Sequence, residues 1–258
     1  SAARRCFEIA ICNQTSHPPI GNDMLNPNLD KAALAAKFRE DGRIRIENIL
    51  DPEIAERIRT ACINDVPFQF VAHIDGKNVT NPSEEMAKFD QQKFREFQSK
   101  LLDAASKGVG FFYGGYLMAH KLDDTSNEKM QFLHSVFEYL NSEEMLSFIR
   151  GITGNDELKS ADAQYTRFTP GQFLTRHRDD NTNEQRRFAY VLAFSKNWHP
   201  DWGGLLQFFE DDGTPRDAWA PQFNSMSLFD VQHVHSVTFI APFALEPRLS
   251  LTGWFRAK

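Results

Sequence analysis

The C-terminal stretch of this chain constrains its fold most strongly. From about Asp162 onward, short runs follow one another: AQYTRFT, FLTRHRD, RFAYVLAFS, GLLQFFED, NSMSLFDV, HSVTFIA and RLSLTGWF. Each is rich in β-branched or aromatic residues and is bounded by Gly, Pro, Asn or Asp, as serial strands are. Such a succession points to a sandwich or a double-sheet jelly roll.

The preceding part reads differently. LDKAALAAKFREDG repeats apolar residues at helical spacing and stops at Gly42. RIRIENIL alternates like a strand, and Asp51 with Pro52 opens a second helix. FQFVAHI is a short strand candidate. Residues 83–108 are expected to form one long amphipathic helix, and 126–154 two helices broken around Asn141. The expected architecture is α+β. One domain spans 1–258, with 1–160 a mainly helical support and 161–258 a jelly-roll core, a double-stranded β-helix with helices packed on one side.

Composition narrows the partners. The net charge is −6, which argues against nucleic acid. No apolar run approaches the roughly 20 residues of a membrane span, so no membrane is expected. Cys6, Cys12 and Cys62 form no CxxC pair, which suits a reducing, cytoplasmic setting.

The chemistry concentrates in FLTRHRD. In a strand, His177 and Asp179 share a face, because side chains alternate with period two. An imidazole and a carboxylate on one face are two ligands, and a second histidine completes the 2-His-1-carboxylate set of non-haem Fe(II). Both His233 and His235 in DVQHVHSVTF are candidates; His235 is preferred because it opens a predicted strand, with His233 held in reserve. A second signal is Arg248, which in a strand shares a face with Ser250. A buried arginine needs a counter-charge, and Glu246 is the sole acid nearby in sequence. A dicarboxylate co-substrate would satisfy it, held bidentately by Arg248 with Ser250 as hydroxyl donor.

Together HRD at 177–179, His235 and RLSLTGWF at 248–255 resemble the 2-oxoglutarate- and Fe(II)-dependent dioxygenases of the prolyl 4-hydroxylase type. YTRFTPGQFLTRHRDD is similar to the Pro-Gly turn and strand before that family's HxD motif. WHPDWGGLLQFFEDD and NSMSLFDVQHVHSV are similar to the subgroup that hydroxylates a prolyl residue of a ribosomal protein. The resemblance covers roughly residues 160–258. It implies that His177, Asp179 and His235 bind Fe(II), and that Arg248 and Ser250 hold the distal carboxylate of 2-oxoglutarate. Tyr165 is the expected phenolic donor to the same carboxylate. The cofactors implied are Fe(II), 2-oxoglutarate and O2, with ascorbate as a stimulant. The reaction implied is hydroxylation of an unactivated C–H, with 2-oxoglutarate decarboxylated to succinate. The presence of Asp179 favours hydroxylation over halogenation, since related halogenases carry a small residue there. The expected substrate is a prolyl residue in a protein or peptide. The alternatives are a free amino acid or small molecule, a metal- or 2-oxoglutarate-binding module without turnover, and a zinc or manganese jelly-roll enzyme.

Simpler readings apply elsewhere. HRDDNTNE imitates a kinase catalytic loop, but Glu184 stands where that loop needs Asn. GVGFFYGG, Gly108–Gly115, has the wrong spacing and context for a phosphate loop and reads as a flexible turn or lid. His199 is expected in a loop, His134 on a helix face, and Trp198, Trp202 and Trp219 in packing.

Overall fold

A computed structural model describes residues 24–118 and 128–258. Cys6, Cys12, His17 and His120 lie outside the described residues. In chain order the elements are α1 (Lys31–Asp41), β1 (Arg43–Glu47), α2 (Pro52–Asn64), β2 (Gln69–Ile74), β3 (Lys77–Pro82), α3 (Ser83–Ala87), α4 (Gln91–Ser106) and β4 (Phe111–Leu117). They continue with α5 (Glu128–Leu140), α6 (Glu143–Thr153), β5 (Ser160–Ala161), β6 (Gln164–Phe168), β7 (Phe173–His177) and β8 (Arg186–Ala193). A 3₁₀ turn at Pro200–Trp202 precedes β9 (Leu206–Phe209), β10 (Pro215–Trp219), β11 (Ser225–Asp230), β12 (Val234–Val237) and β13 (Arg248–Arg256).

Local chemistry sets the boundaries. Gly42 ends α1 in the left-handed region (φ 65°), where glycine carries no Cβ penalty. The Asp51 carboxylate accepts from the amides of Glu53 and Ile54 at the start of α2. The long helix expected over 83–108 is two helices. Asp90 accepts from Lys93 N and caps α4, so a new helix starts there. The supposed turn or lid at 108–115 is corrected as well, since most of it is strand β4.

The strands pair antiparallel in the order β1-β11-β8-β13-β6-β4-β7-β12-β9-β10, with the β2–β3 hairpin joined through β2 to β4. β4 pairs with both β6 and β7 and so links the two halves of the strip. The strip curls on itself: the Phe229 ring of β11 lies 4.7 Å from the His235 ring of β12, although many strands separate them in the order. This is the expected jelly-roll core. Along β6, β8 and β13 the outward residues, including Tyr165, Leu192, Leu249, Leu251 and Phe255, join the residues of α2, α5 and α6 in one apolar cluster. The alternate residues, Thr166, Phe168, Ala189, Arg248 and Ser250, face the barrel interior.

Candidate metal and co-substrate site

The interior holds the predicted triad. Asp179 lies just past the end of β7 rather than within it, yet it reaches both histidines. Its Oδ1 is 3.6 Å from His177 Nε2 and its Oδ2 is 3.4 Å from His235 Nε2. His177 and His235 are direct cross-strand partners on β7 and β12, with rings 4.2 Å apart. The ligating atoms of all three residues lie within 4.8 Å of one another. Each imidazole is oriented by its own backbone: His177 Nδ1 donates to Thr175 O (2.9 Å) and His235 Nδ1 to His233 O (3.0 Å). In that tautomer Nε2 carries the lone pair, the arrangement a metal-binding histidine needs.

The electrostatics agree with the geometry. Burial pushes the Asp179 carboxyl up, but the hydrogen bonds and charges of both histidines outweigh it and hold the group far below the usual carboxylate range. Burial works against the His177 imidazolium, and the Asp179 hydrogen bond and charge overcome this, raising His177 above its ordinary value. Phe208 and Phe229 flank His235 and shield that side from water.

Arg248 lies in the same interior, 2% exposed. Its Nη1 donates to Ser250 Oγ (3.1 Å), Ser250 Oγ meets Thr166 Oγ1 (2.9 Å), and Arg248 Nε has no partner. Glu246, the acid suggested by sequence, pairs instead with Arg59 (3.2 Å). Burial lowers the Arg248 pKa to about 10. The guanidinium lies 5.4 Å from the Phe168 ring centre, and Gly204 makes its seat: a Cβ there would stand 3.1 Å from Arg248 Cδ and 2.5 Å from Ile240 Cδ1. A buried cation of this kind, beside two hydroxyls, suits a carboxylate. The three-ligand set on one side and the uncompensated arginine on the other fit Fe(II) and 2-oxoglutarate.

Other sequence assignments change. Tyr165 is not on the site face. It sits opposite Leu251, with Thr166 opposite Ser250, and its hydroxyl donates to Leu133 O of α5 (3.3 Å). The parity of the strand sends it to the helical layer, so Thr166 takes the place beside Ser250. His233 bonds Asp41 O through Nε2 (2.8 Å) and stays away from the triad. Asp180 is exposed, and His199 caps the 3₁₀ turn. Sequence reasoning missed Thr166 and Gly204 as neighbours of Arg248. Period-two counting from Ser250 through its cross-strand partner would have found the first.

A curled antiparallel barrel carrying this triad has the donor set of a non-haem iron oxygenase, and residues 163–256 match the family model of the 2OG-Fe(II) oxygenase superfamily. Fe(II), 2-oxoglutarate and O2 are the cofactors of that class. Its relatives are prolyl hydroxylases. The chain is 28% identical over 140 residues to prolyl 3-hydroxylase OGFOD1 of Xenopus laevis, covering 52% of this chain and 27% of that protein. It therefore spans about a quarter of the length of the curated relatives it matches. Among solved structures, a Pseudomonas putida prolyl-4-hydroxylase shares the fold with a TM-score of 0.55 at 18% identity, covering 88% of this chain and 99% of that one. A Trichoplax adhaerens prolyl hydroxylase, solved with a hypoxia inducible factor peptide fragment, shares it with a TM-score of 0.57 at 16% identity, covering 88% and 89%.

Proposed function

We propose that this protein hydroxylates a prolyl residue of a protein or peptide, consuming 2-oxoglutarate and O2 and releasing succinate and CO2. The observation that carries the reading is the pairing, inside one barrel, of the His177–Asp179–His235 triad with the buried Arg248, which meets no acid among the described residues. Fe(II) with 2-oxoglutarate and O2 supplies the oxidising power for an unactivated C–H. His177, Asp179 and His235 would hold the iron. Arg248 and Ser250 would bind the distal carboxylate and so fix the co-substrate's direction. Phe208, Phe229 and Phe168 exclude water from the space between. A cytoplasmic location, argued from the cysteine usage, belongs to the same proposal.

A protein or peptide substrate is favoured over a free amino acid by the prolyl hydroxylases that the chain resembles, one of them solved with a peptide fragment.

The test is succinate formation from 2-oxoglutarate under air, with and without Fe(II), with a panel of proline-containing peptides. Iron-dependent succinate, stimulated by a peptide that gains one oxygen and abolished in His177→Ala, is expected. Equal turnover in His177→Ala would refute the assignment.

A further inference from the structure

The two imidazoles of the triad share one detail of their support. Each donates from Nδ1 to the carbonyl two residues before it, His177 to Thr175 O (2.9 Å) and His235 to His233 O (3.0 Å). Such a carbonyl fixes a ring only as firmly as its own peptide is held. In both places the residue that offers it is fastened by its side chain to a distant segment of the chain. Thr175 Oγ1 accepts from Gly110 N (2.9 Å) and donates to Gly108 O (3.3 Å), gripping the glycine turn that leads into β4. The Thr175 amide donates to Gly110 O (2.9 Å) beside it. His233 Nε2 lies 2.8 Å from Asp41 O and must be the donor, since a carbonyl only accepts. The His233 amide donates to Asp230 O (3.0 Å), and the Asp230 amide to Gly42 O (2.9 Å). The turn between β11 and β12 therefore rests on two successive carbonyls, Asp41 O and Gly42 O, at the corner where α1 meets β1. That corner is itself pinned. The Asp41 carboxylate takes Arg43 of β1 (2.5 Å) and Arg216 of β10 (2.7 Å). Neither Thr175 nor His233 belongs to the ligand set, and their anchors are chemically different, so each can be removed alone.

We infer that Thr175 and His233 are positioning residues of the metal centre. Each holds, by its side-chain anchor, the carbonyl that keeps one ligand histidine in the tautomer and rotation that turn Nε2 toward the ion. The inference rests on the reading of the triad as the iron site.

The test is titration of Co(II) into the metal-free full chain, read by affinity and by the visible absorption of the bound ion, beside the urea midpoint of each metal-free variant. Thr175→Val keeps the shape of the side chain and removes the hydroxyl, which Thr175→Ser keeps. His233→Leu removes the N–H donor, and His233→Gln offers one again. Thr175→Val and His233→Leu should each weaken Co(II) binding about tenfold or more, the range for an outer partner of a metal-bound histidine, and shift the absorption bands. Thr175→Ser should bind like the wild type, and His233→Gln should bind more tightly than His233→Leu. Wild-type affinity and bands in Thr175→Val and His233→Leu, with only the urea midpoints lowered, would make the anchors merely structural and overturn the inference. A loss in Thr175→Ser as large as in Thr175→Val would overturn it too, because the effect would not follow the hydrogen bond. No Co(II) binding by the wild type, or full binding by His177→Ala, would overturn the reading of the triad and this inference with it.

Discussion

At the scale of single residues, the site is a balance of buried charges. Arg248 is a cation kept out of water, and among the described residues no acid pairs with it. Arg248→Met should therefore leave the ligand-free protein at least as stable as the wild type, since an unpaired buried charge is costly. The same variant should abolish the rise in melting temperature that 2-oxoglutarate gives the wild type. Thermal melts with and without ligand check both; a strongly destabilised ligand-free variant would show that Arg248 is structural. The triad carries a pH signature in the metal-free protein. His177 is raised above 6.5, so its contribution is fully present below about that pH and fades as pH climbs through the folded value. Asp179 is held below 3.8, so its contribution is present above about that pH and fades under acid. The wild type should exceed Asp179→Asn in stability most between about pH 4 and 6.5. Denaturant titrations across pH 3–8 test this, and a difference independent of pH would contradict it. His177 and Asp179 could be picked out because strand alternation puts both on one face, His235 because it opens the next candidate strand, and Arg248 because a buried strand arginine needs a partner. Tyr165 misled because a strand residue's face depends on its partner. Opposite Leu251 it turns outward, and one position later Thr166 turns in.

At the scale of elements, the helix ends were readable from their caps and the break at Asp90 was not. Apolar periodicity runs on through a capping residue, and only the Asp90–Lys93 bond shows that a new helix begins. β4 was hidden for another reason. FFYGGY does not alternate polar and apolar because both its faces are covered: Phe112 packs toward α4 and Tyr113 into the barrel. Between β1 and β11 the chain is tied by Asn224, whose side chain accepts from Leu50 N (3.0 Å) and donates to Leu50 O (2.8 Å). Asn224→Ala would leave two buried backbone groups unmet. It should cost about 2–4 kcal/mol, read as a lowered urea midpoint. A loss within experimental error would mean that water replaces the amide.

At the scale of the molecule, the barrel holds its charged and hydroxyl groups inside among aromatic rings, and its helical face is apolar. Tyr165, Leu192, Leu249, Leu251 and Phe255 are covered by α2, α5 and α6 rather than by one another. The division into helical support and jelly-roll core, visible in sequence as a change of periodicity near Asp162, is thus not a division into units that fold alone. Residues 160–258 expressed by themselves should lack cooperative unfolding and bind hydrophobic dye, and a sharply melting fragment would contradict this.

The cross-strand pairing of His177 with His235 has a mechanical consequence. The two histidines stand side by side on β7 and β12 but far apart along the chain, so an ion shared between them is also a clasp that closes the long intervening segment into a ring. A metal held there would therefore fasten the β7–β12 seam, and removing it would leave that seam to its backbone hydrogen bonds.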